Sequence, residues 1–488
     1  LFLTFFTEVC VIALQNVPAG LASVIQGNWL NRRFEQQLRN KAAFRLAAYR
    51  TPVPVRSGET TLYSRAGRLV PVVQDLNPAT NLGLDNNYTT PVGGVGATNS
   101  YSYEQYQVFI AKIGFPLDIN AIQQQELIAD VFKQNWDNLA EQAALSLDLK
   151  AAQATFIAYE SGRTYVRTAT SASTTASVDN IYGLSTVFST TVVQGNNIPI
   201  GSPIAVSVGV PLSATVYPIS GATPYIVSVT LAAADGSNVS VMQQGAGSSG
   251  MVNGASGVLT FSAAQTFAQG DAIIAADAPS LIRPGNRRSR FSMTTSDTLG
   301  IQMILNAKAI LKANNIPPMA DGTYAVFMDP ILMAQFFADQ QFQIMAQGAE
   351  ASALFKDGVL IRHFGVTFVE TTNAPVYGPF TNSSAQSIYT RRLIVCGDRY
   401  LNECPFEGLE AGYKSLADMS ISDVRVMNDV AVVTRPPLDR DATLLGQSWN
   451  WIGGFVCGTD ATITPAVIPT ATPARYKRAV VLEAASAF

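Results

Sequence analysis

The stretch Leu354–Pro375, LFKDGVLIRHFGVTFVETTNAP, holds the one histidine of a 488-residue chain. His363 sits between Arg362 and Phe364, where Phe364, Val366 and Phe368 begin to alternate with Gly365, Thr367 and Val369. A period of two predicts a strand with one strongly buried face. Gly358 and Gly365 allow turns or close backbone packing on either side of His363. Nucleophilic catalysis of the Ser-His-Asp kind needs a histidine beside its nucleophile, and no GxSxG elbow accompanies this one. His363 is expected to be framework.

Other catalytic signatures fare no better. Gly245–Gly250, GAGSSG, matches GxGxxG, but the next residues, MVNGASGVLTF, predict another strand rather than the helix that would face a pyrophosphate. No GxxxxGK(S/T) phosphate loop occurs. Cys10, Cys396, Cys404 and Cys457 form no CxxC pair and point to a reduced compartment such as a cytosol. One histidine cannot build a His-rich zinc site. Asp329 in FMDP and Asp398 in CGDRY read as turn formers. Neither enzymatic activity nor a cofactor or metal is expected.

Composition points to contact with neighbours. Charged residues make up 14% of the chain, against about 25% in an average domain. Apolar residues reach 48%, so large cores can form. A chain this poor in charge hides much of its surface against other chains. The net charge of −3 and pI of about 5.4 give no global bias towards nucleic acid. The length predicts about two to four domains. The opening LFLTFFTEVCVIALQNVPAG starts without methionine; Glu8 interrupts its apolar run and no basic segment precedes it. It is expected to be an arm packed against protein, with earlier residues removed or missing, rather than a signal peptide. No apolar run approaches the roughly 20 residues that span a bilayer.

Along the chain, residues 24–50 carry Leu30, Phe34, Leu38, Ala42 and Leu46 at helical spacing. Arg32, Arg33, Arg39, Lys41, Arg45 and Arg50 on the other faces meet one acid, Glu35. This is either a solvated face or an arm for phosphate or an acidic neighbour. From Gly58, GETTLYSRAGRLVPVV and YSYEQYQVFIAKIGFPL predict two extended arms around a Gly-, Asn- and Pro-rich connection too long for a tight hairpin. Asp118 predicts the N-cap of a helix running to about Tyr159, roughly 40 residues or about 60 Å. Between Thr168 and Ile282 the charged residues are Asp179, Asp235, Asp271 and Asp277, among strand-sized apolar pieces and turns. That pattern predicts an inserted β-sandwich or barrel, closed by the basic hinge RPGNRRSR at Arg283–Arg290. A helix capped by Ser296 or Asp297 and stopped by Pro317 follows, then the strand TYAVFMDP and a further helix.

In this order the parts resemble the major capsid proteins of tailed bacteriophages with the HK97 fold, in particular the branch typified by the phage N4 capsid protein. The resemblance rests on Gly322, Tyr324 and Pro330, followed by Leu354, Phe355, Gly358, Leu360, Gly365, Val366, Phe368, Val369, Glu370, Thr371 and Asn373. It covers about residues 30–160 and 285–460 and implies an α+β fold. Residues 1–57 would form an N-terminal arm, 58–116 an E-loop with Arg65 and Arg68, and 117–164 the P-domain spine helix. Residues 165–290 would form the inserted β domain, 291–460 the A-domain with the rest of the P-domain, and 461–488 a C-terminal extension. The resemblance implies hexamers and pentamers in an icosahedral shell, assembled in the host bacterial cytoplasm. Portal protein, scaffolding or decoration proteins and packaged double-stranded DNA are the implied partners, and no membrane is. Arg32, Arg33, Arg39 and Arg45 are candidates for weak DNA or intersubunit contact. Some relatives cross-link an E-loop lysine to an asparagine of a neighbour; between Gly58 and Ala111 this chain has no lysine, so a shell without such bonds is expected. An encapsulin-type nanocompartment, a β-rich surface adhesin and a hydrolase assembled only in space are the competing readings.

Overall fold

The computed structural model describes residues 42–55, 60–66, 103–120, 131–160, 162–178, 212–218, 225–231, 238–243, 251–255, 257–275, 278–345, 362–381, 385–408, 423–435, 444–457 and 477–486. Helix and strand are both well represented, an α+β composition. The organising element is helix α1, Val131–Glu160, which spans about 45 Å at 1.5 Å per residue. Alanine lines it: Ala140, Ala143, Ala144, Ala151, Ala154 and Ala158 are all buried. Small side chains let sheets approach a helix closely, and here two sheets do so. Trp449, Trp451 and Phe455 of one and Phe327, Ile394 and Val481 of the other share a single apolar cluster with α1.

The first sheet follows the order Leu281–Ile282, Ala479–Ser486, Ser387–Cys396, Tyr324–Met328, Val366–Glu370, Arg362–His363, with Val376–Thr381 also paired to Ser387–Cys396. Tyr324–Met328 runs parallel to Val366–Glu370 and antiparallel to Ser387–Cys396. Both faces are covered, which explains a run as continuously apolar as YAVFM. Ala325 and Phe327 face the cluster of α1. Val326, Met328, Val366 and Phe368 face a second cluster with Ile304 and Leu311 of α2 (Ile301–Ala313) and Phe336 of α3 (Pro330–Ala338). Phe342 of α4 (Gln340–Met345) completes it.

The second sheet is ordered Tyr49–Arg50, Asn402–Pro405, Leu444–Val456, Val430–Arg435, Asp423–Met427, with Ala111–Asn120 also on Leu444–Val456. A third, antiparallel sheet lies wholly within residues 163–275, in the order Arg163–Tyr165, Ala272–Ala275, Leu212–Tyr217, Tyr225–Leu231, Gly257–Phe267, Thr170–Val178. A bridge from Val166 to Val178 and the bond from Arg167 N to Ser177 O at 2.9 Å join its first and last members, so the strand order closes as a barrel. Its interior holds Val216, Leu259, Phe261, Phe267 and Ile273.

Several expectations are corrected here. Asp118 caps no helix: it pairs with Gly446 in the ladder between Ala111–Asn120 and Leu444–Val456. Of the predicted N-terminal helix, residues 42–50 are turns followed by the strand Tyr49–Arg50, and the rest of that segment lies outside the described residues. Leu46 of the predicted apolar stripe is 63% exposed, whereas Phe44 is fully buried. Phe44 stacks on Phe327 at 4.4 Å and meets Phe156 edge-on at 6.1 Å, so core contact overrides helical spacing. The cap of α2 is Gly300, and Asp339 accepts its first amide, from Ile301, at 2.7 Å; Asp297 instead accepts from Thr294 N. The C-terminal residues, expected as an extension, supply the strand Ala479–Ser486, buried at every position.

Phe44 bridges the arm, α1 and the first sheet. Phe44→Ala should lower unfolding stability by about 3–5 kcal/mol, the cost of truncating a fully buried phenylalanine. A chemical-denaturation midpoint equal to that of the parent would contradict this packing.

Candidate functional site

Where α1 ends, the apolar interior gives way to buried charge. Glu483 lies mid-strand in Ala479–Ser486, directly opposite Arg392 in the ladder, and both are fully buried. Arg392 Nε donates to Glu483 Oε1 at 2.9 Å and Arg283 Nε donates to Oε2 at 2.6 Å. Arg290 approaches Oε1 at 3.3 Å. Glu160, the last residue of α1, places Oε1 2.9 Å from Arg392 Nε, but that single N–H points to Glu483. Arg290 is held between two rings, 4.6 Å from the centroid of Tyr165 and 4.4 Å from that of Tyr377. Arg283 also donates to Tyr165 Oη at 2.5 Å.

The electrostatics follow from this crowding. Burial pulls the Glu483 carboxyl up, but Arg283, Arg290 and Arg392 outweigh it and hold it well below the usual carboxylate range. Glu160 moves the other way: burial raises it, Arg392 opposes, and the Glu483 charge raises it further. Arg163, on the first barrel strand, is brought down to about 10 by burial and by Arg283. The cluster ties three parts of the chain together. Arg163 and Tyr165 enter the barrel, Arg283 and Arg290 leave it, and Arg392 and Glu483 belong to the first sheet. Ser289 Oγ adds a bond to Gly270 O at 2.6 Å. The segment Arg283–Arg290, expected as a basic hinge, is therefore a buried joint at both of its ends.

A second knot forms around Asp148, fully buried on α1. Its Oδ1 accepts from Ala43 N at 2.8 Å and Arg45 N at 3.0 Å, and Oδ2 accepts from Asn373 Nδ2 at 2.7 Å. Burial raises this carboxyl while the amide donors pull it down.

The structure sorts the residues singled out by sequence. Arg45, a candidate for DNA or neighbour contact, is buried and committed to Glu403 at 2.8 Å and to Asn428 O at 2.9 Å; that expectation is corrected. Arg32, Arg33, Arg39, Arg68 and Gly358 lie outside the described residues. Arg65 pairs with Glu104 across the ribbon of Thr60–Ala66 and Tyr103–Phe109. Tyr324 is buried and donates to Ile316 O at 2.8 Å. Pro330 opens α3 behind the cap Asp329, which also accepts from Arg391 at 2.7 Å; Asp398 stands in a turn. Glu370 is exposed at the end of its strand. Asn373 joins the Asp148 knot.

His363 is half-buried beside Phe342 and Phe364, with ring centroids 6.2 and 4.4 Å away. Phe364 and Gly365, at φ 52° and 69°, form the two-residue turn that pairs His363 with Val366. The strand therefore begins at Val366, two residues later than the alternation suggested. Sequence reading passed over Glu160, Glu483 and Asp148. A signal existed: a glutamate inside AVVLEAAS is a charge in an otherwise core-like strand, and such charges are buried only when paired. Among the described residues no cluster of His, Cys, Asp and Glu suits a metal ion, and no helix is long and apolar enough to cross a membrane.

No family model matches this sequence, and no curated protein matches it. Among solved structures, 107 chains match, and those listed first are phage capsid proteins. The chain is similar to the capsid of Ralstonia phage GP4, at 11% identity over 91% of each chain with a TM-score of 0.45. It is similar to the cyanophage Pam1 capsid at 12% identity, covering 89% of this chain and 86% of that one, TM-score 0.44. The acid-stable capsid of the Helicobacter pylori bacteriophage KHP30 matches at 8% identity over 91% of each chain, TM-score 0.42.

The two carboxylates of the joint should respond oppositely to neutralisation. Glu483→Gln leaves three guanidinium groups without their shared counter-ion and should cost about 3–5 kcal/mol. Glu160 has a folded value above its unfolded one, so its contribution to stability is complete below the ordinary carboxylate range and fades as pH rises through the folded value. Glu160→Gln fixes the neutral form. Its denaturation midpoint at neutral pH should equal or exceed the parent's, and part of the parent's decline from acid to neutral pH should vanish. Equal losses for both variants would refute the assignment.

Proposed function

We propose that this chain is the major capsid protein of a tailed bacteriophage, of the N4-type branch of the HK97 fold, and that it tiles an icosahedral shell around double-stranded DNA through hexamers and pentamers. The observation that carries this reading is the ribbon of Thr60–Ala66 and Tyr103–Phe109, seven residues each in continuous antiparallel register. Among the described residues its ladder partners are its own two strands. Only its base joins the body, where Tyr63, Val108 and Ile110 pack on Val53, Cys404 and Val456. A lone two-stranded ribbon is marginal in water, and a neighbouring subunit would supply the missing surface, as the E-loop reading requires. Low overall charge supports the same conclusion, because interface cores are depleted in lysine and acidic residues.

In this reading residues 58–116 form the E-loop and α1 the P-domain spine. The first sheet belongs to the A-domain, and the barrel is an insertion at residues 165–290. Portal, scaffolding or decoration proteins would be further partners, and the virion its location. The role is structural, without catalysis. Arg32, Arg33 and Arg39 remain the candidates for weak contact with packaged DNA.

Electron microscopy and sedimentation of the recombinantly expressed chain should show closed shells or their hexamers and pentamers. Monomers alone, even with candidate scaffolding protein present, would overturn the proposal. A small uniform shell filled with protein cargo would favour the encapsulin reading. Boiling assembled shells in denaturant should give a single band at the 52.1 kDa of the chain, since lysine is missing from the E-loop; a covalent ladder would contradict this. Shells of Arg32→Ala, Arg33→Ala, Arg39→Ala combined should release DNA at lower salt than the parent. An unchanged salt dependence would remove these residues from the lumen.

A further inference from the structure

The second sheet ends, on one side, at a strand whose sequence reads Tyr49-Arg50-Thr51-Pro52-Val53-Pro54-Val55. It runs parallel to Asn402–Pro405 and continues through a bridge from Val53 to Phe406. The inward amides are those of the odd-numbered residues: Tyr49 N donates to Leu401 O at 2.8 Å, Thr51 N to Glu403 O at 2.9 Å and Val53 N to Pro405 O at 2.8 Å. Backbone direction alternates along a strand, so Arg50, Pro52 and Pro54 turn their backbones away from the sheet. Two of these three positions are proline, which has no N–H to offer. Pro52 and Pro54 are exposed, and the segment also exposes Leu46, Tyr49 and Val55, at 63%, 42% and 54%. An edge this apolar, with its amides intact, would be a template for strand addition by another copy.

We infer that Pro52 and Pro54 close this edge to a strand of a second copy, so that copies of the chain meet here through side chains and do not extend the sheet. The inward side is adapted to the same chemistry. Pro405 cannot donate to Thr51 O, and Tyr63 of the ribbon donates to that carbonyl instead, at 3.5 Å. The edge strand is thereby tied to the ribbon's base as well as to its own sheet. Arg50 keeps the one outward N–H, and its side chain pairs with Asp429 and lies 3.5 Å from Glu403. Charge thus stands at the position where proline does not. None of this depends on the shell reading.

Two double variants of the full chain separate edge protection from chain stiffness. Pro52→Thr/Pro54→Thr restores both outward amides with β-favouring residues. Pro52→Lys/Pro54→Lys restores the amides but places charge on the edge, which discourages strand addition. Each is compared with the parent for thioflavin-T fluorescence and for pelletable material, whatever particle the parent itself forms. The threonine variant should show a several-fold rise in both, with circular dichroism of the soluble fraction unchanged, and the lysine variant should match the parent. A threonine variant that behaves as the parent would overturn the inference. Equal aggregation of both variants would also overturn it, because lost proline stiffness would then be the cause.

Discussion

The pairing of Glu483 with Arg392 is the constraint on which the arrangement of the three sheets depends. The face of the first sheet turned towards α1 carries Ala479 and Val481 on one strand and Cys396 and Ile394 on the next, all apolar. One step further along each strand on the same face stand Glu483 and Arg392, directly opposed. The change from apolar to charged occurs where the helix terminates at Glu160. Cover by α1 ends there, and the barrel's entry and exit segments take its place, bringing Tyr165, Arg283 and Arg290. A slip of one residue between these strands would turn Glu483 to the opposite face, among Leu482, Val480 and Leu332. Removing a charge from water costs several kcal/mol, so the ion pair specifies register more strongly than any apolar neighbour could.

Asp148 does for the arm what Glu483 does for the barrel. A carboxylate on the spine helix collects two backbone amides from residues 43–45 and the amide side chain of Asn373. It thereby fixes the end of the arm to the segment that follows the Val366–Glu370 strand. Beyond that point the arm is held by Phe44 in the core, by Arg45 on Glu403 and by the parallel ladder to Asn402–Pro405. Residues 43–53 therefore belong to their own chain's body. Exchange of the arm between copies, if the shell reading holds, is confined to residues before this anchor.

Local chemistry was readable from sequence, and long-range chemistry was not. The strand around Val366, the Asp329–Pro330 helix start, the paired arms of the ribbon and the strand-rich, charge-poor region around 163–275 all follow from periodicity, turn residues or composition within a short window. Asp118 was misread because an aspartate before an apolar run is a sound cap signal, while the strand that claims it, Leu444–Val456, lies over 300 residues away in sequence. The same holds for Arg283–Arg290. Local charge density implies solvent, but the partner of Arg283 is 200 residues distant. Leu46 fails similarly: helical spacing placed it inside, whereas the depth of Phe44 and the ladder at Tyr49 turn it out. The candidate joint was thus the least legible part, because each member looks ordinary until topology assembles them.

The sheets also differ in how they end. The first terminates in two-residue strands, Leu281–Ile282 and Arg362–His363. One end of the second is a two-residue strand continued by Pro52 and Pro54. The barrel closes on itself through Val166 and Val178. Short, proline-blocked or closed edges all resist strand addition. Against these stands the ribbon, with two seven-residue strands and no third strand beside it among the described residues. If copies of this chain associate by backbone pairing, the ribbon is where the fold leaves room for it, and the other edges confine such pairing to that one place. A protein that must make the same contact many times, and no other, would need this asymmetry.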